Sequence, residues 1–193
     1  MSFVDSRLLA YLPPDAIKNA FMSGGMPTCF WNIQLGDSIA PAELCNQIEL
    51  ECHPELTASC RQIEDYFNRH GHLIFSDPVT EMVQLIFFKM EDEVKHLLLK
   101  EKNLIFPGIK SSKRLFVLSP AAWQYIVQTQ RVIAELIERI RHLLNHFQTN
   151  PSSSKEWQQC VQQFFQLEKK IHQWIFVEQN ILYPSSLQTF SIN

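Results

Sequence analysis

Apolar residues recur at three- and four-residue steps along most of the chain from Pro41 onward, the spacing of one face of an α-helix. The first such stripe is Leu44 or Cys45, Ile48, Cys52, Leu56, Ile63 and Tyr66 or Phe67. Pro54 interrupts it and predicts a bend at His53, with 41–52 and 54–70 as one bent element and Gly71 as its stop. A second stripe is Val83, Ile86, Met90, Val94, Leu97, Glu101, Leu104, and a third is Trp123, Ile126, Gln130, Ile133, Ile137, Ile140, Leu144, Phe147. The fourth is Val161, Phe164, Ile171, Trp174, Glu178, Ile181. Ser76-Asp77-Pro78 and Ser119-Pro120 each place a capping side chain before a first-turn proline, so they start helices two and three. Helix two is expected to reach about Ile105, helix three about Phe147, and helix four to run from about Lys155 to Leu182.

Four long amphipathic helices with modest connections predict an all-α fold, an antiparallel up-down-up-down four-helix bundle over residues 41–193. Residues 1–40 read as a short helical N-terminal appendage. Within it, Ser6–Tyr11 and a segment from Pro13 to Met22, ended by Gly24-Gly25, fit short helices, while Phe30 and Trp31 offer large apolar surfaces for packing. The connection 107–118 has room for a short extended piece at Arg114 to Val117.

One phrase occurs twice. Lys100-Glu101-Lys102-Asn103-Leu104-Ile105-Phe106-Pro107 matches Val177-Glu178-Gln179-Asn180-Ile181-Leu182-Tyr183-Pro184 in register, with Glu on Glu, Asn on Asn, aromatic on aromatic and Pro on Pro. Proline disfavours helical geometry in the residue before it, so each phrase reads as a last turn with its stop signal. The two glutamates fall on the apolar stripes. In the antiparallel arrangement they share a layer with Gln130, and Glu49 joins them if the bend at Pro54 leaves it facing inward. A carboxylate in an apolar interior costs several kcal/mol. Such a layer therefore needs a bound metal, a shared proton, or donors from Lys, Arg or water at the bundle mouth.

Charge and cysteine content narrow the picture. A formal charge of -3, with neither a basic tract nor a basic face, gives no reason to expect nucleic acid or an anionic membrane as partner. The start Met1-Ser-Phe-Val-Asp is unlike a signal peptide, and no run approaches the roughly 20 apolar residues of a membrane span. A cytoplasmic protein is the expectation. The five cysteines, Cys29, Cys45, Cys52, Cys60 and Cys160, form no CxxC pair. Cys45 and Cys52 on one helix would stand about 10 Å apart, too far for a disulfide. Small buried thiols are expected. His142 and His146, four apart, read as a solvated or half-buried pair, and His70-Gly71-His72 as a helix C-cap. No Ser/His/Asp set, phosphate loop or zinc spacing supports hydrolase or kinase chemistry.

At Glu101 to Lys110, Glu178 to Pro184 and Ala134-Glu135-Leu136-Ile137-Glu138, the chain resembles the hemerythrin-like di-iron proteins, specifically the repair-of-iron-centres family that acts on damaged iron-sulfur clusters. The resemblance covers roughly residues 49–188. It implies that Glu101 and Glu178 fall on the bridging carboxylates of a di-iron site. The family's histidines do not follow. Leu97 and Trp174 stand where it has His four residues before each Glu, Gln130 stands at its helix-three His, and its helix-one His falls near Glu49. His96 and His172 are nearby but out of register. The family often carries paired cysteines in the appendage, where this chain has only Cys29.

The resemblance therefore implies a preserved bundle that has lost most of its di-iron ligands. It implies no resident cofactor and a non-catalytic binding or regulatory role, with a protein or small ligand as partner and a homodimer as one form. The alternative is a metal-binding protein of the iron-sulfur cluster repair or nitric oxide and oxygen stress type. It would hold di-iron or another divalent metal at an altered, carboxylate-rich site of Glu101, Glu178, Glu49 and Gln130.

Overall fold

The computed structural model describes residues 39–74, 77–111 and 119–184, and among them there is helix but no strand. The appendage, the Arg114 to Val117 piece and the C-terminal residues after Pro184 lie outside the described residues. Helix α1 (Pro41–Gln47) passes through a π-helical turn, Ile48–Cys52, into α2 (His53–Ile74). Helix α3 (Pro78–Lys100) passes through a second π turn, Glu101–Ile105, into α4 (Phe106–Lys110). Helix α5 (Pro120–Leu143) follows, and α6 (Lys155–Val177) ends in a third π turn, Glu178–Leu182. These make four long rods. Contacts join α2 to α3, α3 to α5, α5 to α6 and α6 back to α2, so the rods surround one core.

The helix starts are built as their sequences suggest. Asp77 accepts from the Val79 and Thr80 N–H groups, and Ser119 and Ser154 accept at 3.1 Å from those of Ala122 and Trp157. The ends differ from expectation. Gly71 does not stop α2, which runs on to Ile74; glycine inside a helix costs about 1 kcal/mol without ending it. Helix α5 stops at Leu143, and Asn145, His146 and Phe147 take left-handed φ values of 46°, 56° and 63°.

The prolines are not stops either. His53, Phe106 and Tyr183 each donate their backbone N–H five residues back, to the carbonyls of Ile48, Glu101 and Glu178, and each stands immediately before a proline. A proline inside a helix lacks the next donor, and its ring collides with the carbonyl four residues earlier. Widening the preceding turn by one residue moves that carbonyl aside, so the helix continues past the ring. The chain has solved one steric problem three times in the same way.

Each π turn advances the stripe by one residue. Leu104, placed in the seam by regular helical spacing, is 67% exposed, and Ile105 is buried in its stead at 7%. Leu182 likewise replaces Ile181 as the fully buried residue. Away from these turns the expected seam positions are buried. Late α2, early α3 and early α6 meet in an aromatic cluster of Phe67, Phe87 and Phe164, with ring centroids 5.6–6.2 Å apart. Among the described residues no helix is long and apolar enough to cross a membrane. Cys45, Cys52, Cys60 and Cys160 are free, buried thiols.

Candidate metal centre

The three π turns bring their polar residues to one place. Glu101 opens the second turn, Glu178 opens the third, and His53 follows the first; Gln130 comes from α5. All four side chains are buried, both carboxyls at 0% exposure. His53 Nε2 and one oxygen from each glutamate lie within 4.8 Å of one another. His53 Nε2 stands 3.2 Å from Glu101 Oε2, a separation not completed as a hydrogen bond.

The layer is ordered from α5. Gln179 Nε2 donates to Gln130 Oε1 at 2.8 Å, and Gln130 Nε2 donates to Glu178 Oε2 at 2.6 Å. That chain of amides fixes which end of Gln130 faces the carboxylate. On the other side the His53 ring stacks on Phe106, with centroids 5.5 Å apart and planes 22° off parallel. Tyr183 packs edge-on against Trp123 at 5.2 Å and directs its phenol toward Glu101. Thus all three residues that precede a proline border the layer.

Burial sets the protonation states. Desolvation, then the neighbouring Glu178 charge, hold the Glu101 carboxyl well above the usual carboxylate range, against a lowering hydrogen bond from Tyr183. Burial also pushes Glu178 up to about 8, less far because Glu101, Trp174 and Gln130 offer it hydrogen bonds. In the metal-free pair Glu101 is the proton donor and Glu178 the acceptor. Burial pushes the His53 imidazolium down to about 4; Glu49 opposes this, and Lys102 and Lys110 add to it. His53 is therefore neutral at pH 7, with a lone pair available. Burial raises the Cys45 thiol to about 12 and the Cys52 thiol further, so neither competes as a thiolate.

As carboxylates, both oxygens of Glu101 and Oε1 of Glu178 have no donor, and His53 Nε2 has no hydrogen-bond partner. Four converging acceptor atoms without donors are an expensive interior unless a cation or protons fill them. Imidazole with carboxylate oxygens suits divalent iron, manganese or zinc, so the residues fit a metal ion.

Of the residues singled out from sequence, Glu101, Glu178 and Gln130 come together and Glu49 does not. Glu49 sits in the first π turn, where the extra residue turns it outward to pair with Lys110 of α4. Its place in the layer is taken by His53, one turn later. The sequence carried a signal for this: His53-Pro54 belongs with Phe106-Pro107 and Tyr183-Pro184 as a third aromatic ring before proline. Leu97 and Trp174 are fully buried and bring no ligand atom, though the Trp174 N–H lies against Glu178 without completing a hydrogen bond. His96 is exposed beside Asp92 at 3.4 Å, and burial lowers His172 next to Arg141 and Glu138. His142 and His146 are exposed, ring against ring at 5.2 Å. Among the described residues, His53, Glu101 and Glu178 are the one group of three or more acidic, His or Cys side chains with metal-ligating spacing.

Comparison with protein-family models gave no match, and comparison with curated proteins gave none. Fold and site define an all-α protein of four long helices with a carboxylate and imidazole layer in its core.

Proposed function

We propose that the protein is a divergent hemerythrin-like bundle that binds a divalent metal in this layer and serves as a binding or regulatory protein rather than an enzyme. The observation that carries the reading is the convergence of His53 Nε2, both Glu101 oxygens and Glu178 Oε1, all buried and without donors. Antiparallel up-down-up-down topology is supported by which residues meet. Glu101 and Glu178 come from the C-terminal ends of the second and fourth rods, whereas His53 and Gln130 lie in the N-terminal halves of the first and third. Neighbours that run in opposite directions bring those ends together. The kinship with repair-of-iron-centres proteins rests on the residues of the two helix endings.

A metal ion at this layer would supply Lewis acidity, and redox chemistry if it is iron. The chain's own contribution is to hold and shield. Gln130 fixes Glu178, Phe106 fixes the His53 ring, Tyr183 steadies Glu101, and Trp174 excludes water. A layer this closed suits retention or sensing better than turnover of a bulky substrate.

A second reading, a bundle without metal that acts on a protein partner, draws on Leu97 and Trp174, which bring apolar bulk where the resemblance places histidines. Elemental analysis and an absorption spectrum, on untagged protein exposed anaerobically to Fe(II) and then desalted, separate the two. Retained metal with a ligand-field or charge-transfer band is the expected result. A colourless, metal-free product would defeat the metal reading and favour the partner.

A further inference from the structure

We infer that the layer takes one divalent ion per chain, bound by His53, Glu101 and Glu178, and that the volume and donors for a second ion are occupied by the protein itself. This rests on the metal-binding reading above. The three donor groups lie within 4.8 Å of one another. An ion bonded at about 2.0–2.2 Å joins donors up to roughly 4.4 Å apart, close to that spread. A two-ion carboxylate centre, with ions about 3.5–4 Å apart, needs several more donors than two glutamates and one imidazole.

Two features close the other half. The first is the Gln130 amide, whose N–H points at Glu178 Oε2 from 2.6 Å. A positive donor there excludes a cation from that oxygen, and reversing the amide would also break the bond Gln130 Oε1 receives from Gln179 at 2.8 Å. Glu178 thus keeps only Oε1 for a metal. The second is Trp174, fully buried, with its indole against Glu178, and Leu97, fully buried one helical turn before Glu101. Neither presents an atom that binds a cation, and both fill the core from which further ligands would come.

The site is therefore an imidazole, a carboxylate with both oxygens open, and a carboxylate with one oxygen open. That hard, nitrogen-poor set favours Mn(II), Fe(II) or Co(II) over soft ions. Because the ligands carry protons at neutral pH in the metal-free state, uptake releases them into solution.

The test is native mass spectrometry of the untagged full chain, reconstituted anaerobically with Fe(II) and separately with Co(II), with the Co(II) form followed by electron paramagnetic resonance. One ion per chain and an uncoupled high-spin Co(II) signal are expected. Two ions per chain, or a signal silenced by coupling, would overturn the single-ion inference and leave the metal-binding reading standing. No bound ion would overturn both. In the double variant Leu97→His, Trp174→His the stoichiometry is expected to rise to two. His53→Gln, which keeps volume and polarity in the layer, reports independently if the double variant does not fold. It is expected to weaken Co(II) binding about tenfold or more. Unchanged affinity in His53→Gln would refute the assigned ligand set.

Discussion

The ring of His53 lies stacked on the ring of Phe106, 5.5 Å between centroids, and each of the two residues donates its backbone N–H five residues back and is followed by proline. A steric accommodation in two separate rods therefore places a candidate ligand and the surface that orients it. Phe106→Ala removes that surface and opens a cavity in a fully buried position. We expect a loss of about 3–5 kcal/mol in urea unfolding and weaker metal binding, with Phe106→Leu recovering most of the stability. Equal stability of all three proteins would mean that Phe106 is not part of the working core.

If proline imposes the π turn, Pro107→Ala should let it relax to regular α-helix. The phase after Lys100 would then step back by one residue, about 100°, bringing Leu104 inward and Ile105 outward. Metal affinity should fall while helix content, read by circular dichroism, stays the same. Undiminished affinity would show that packing around Glu101 holds the turn open without help from the proline.

The buried carboxyls give the metal-free protein a pH dependence of defined sign. Glu178 is raised from 4.5 to about 8, Glu168 to about 7, and Glu101 is raised as well, so the folded chain keeps these protons where the unfolded chain has released them. Their stabilisation is complete below about 4.5 and is lost as pH rises through the folded values. His53, lowered from 6.5 to about 4, and His172, also lowered, act oppositely, and their stabilisation is lost as pH falls below 6.5. Between pH 6.5 and 8 the carboxyls dominate, and stability should decline with rising pH by at most about 1.4 kcal/mol per unit per group. Glu101→Gln with Glu178→Gln should flatten most of that slope and leave the metal-free fold intact or firmer. A collapse of the double variant would point to an ion essential for folding.

Lys110 pairs with Glu49 across α4 and the first π turn, partly exposed on the side where both residues act on His53. Lys110→Ala should leave thermal stability within about 0.5–1 kcal/mol, as expected for a partly exposed pair. It should also speed removal of bound metal by a chelator followed in stopped flow. If the chelation rate does not change, metal reaches the layer by another path.

Much of the architecture was legible because it depends on local chemistry. Caps at Asp77, Ser119 and Ser154 and the three- and four-residue stripes set the helices, and any chain that buries those stripes must bring Glu101, Glu178 and Gln130 inward with them. The errors share one origin. Glu49 was expected inside, Leu104 and Ile181 were counted as core, and His53 was taken only for the place of a bend. Each follows from reading a constant 3.6-residue period across a turn that holds one residue more. The motif of an aromatic residue before proline was visible three times in the chain, but a proline equally often ends a helix.

By itself, then, the sequence determined four amphipathic helices, their starts, and the presence of two glutamates and a glutamine in an otherwise apolar seam, because periodicity and capping act within a few residues. Only the tertiary structure decided that the helices widen and continue at Pro54, Pro107 and Pro184. That choice depends on whether the neighbouring rods reward continuation enough to offset the strained turn. It also decided that His53 rather than Glu49 completes the polar layer, since one added residue rotates everything that follows by about 100°.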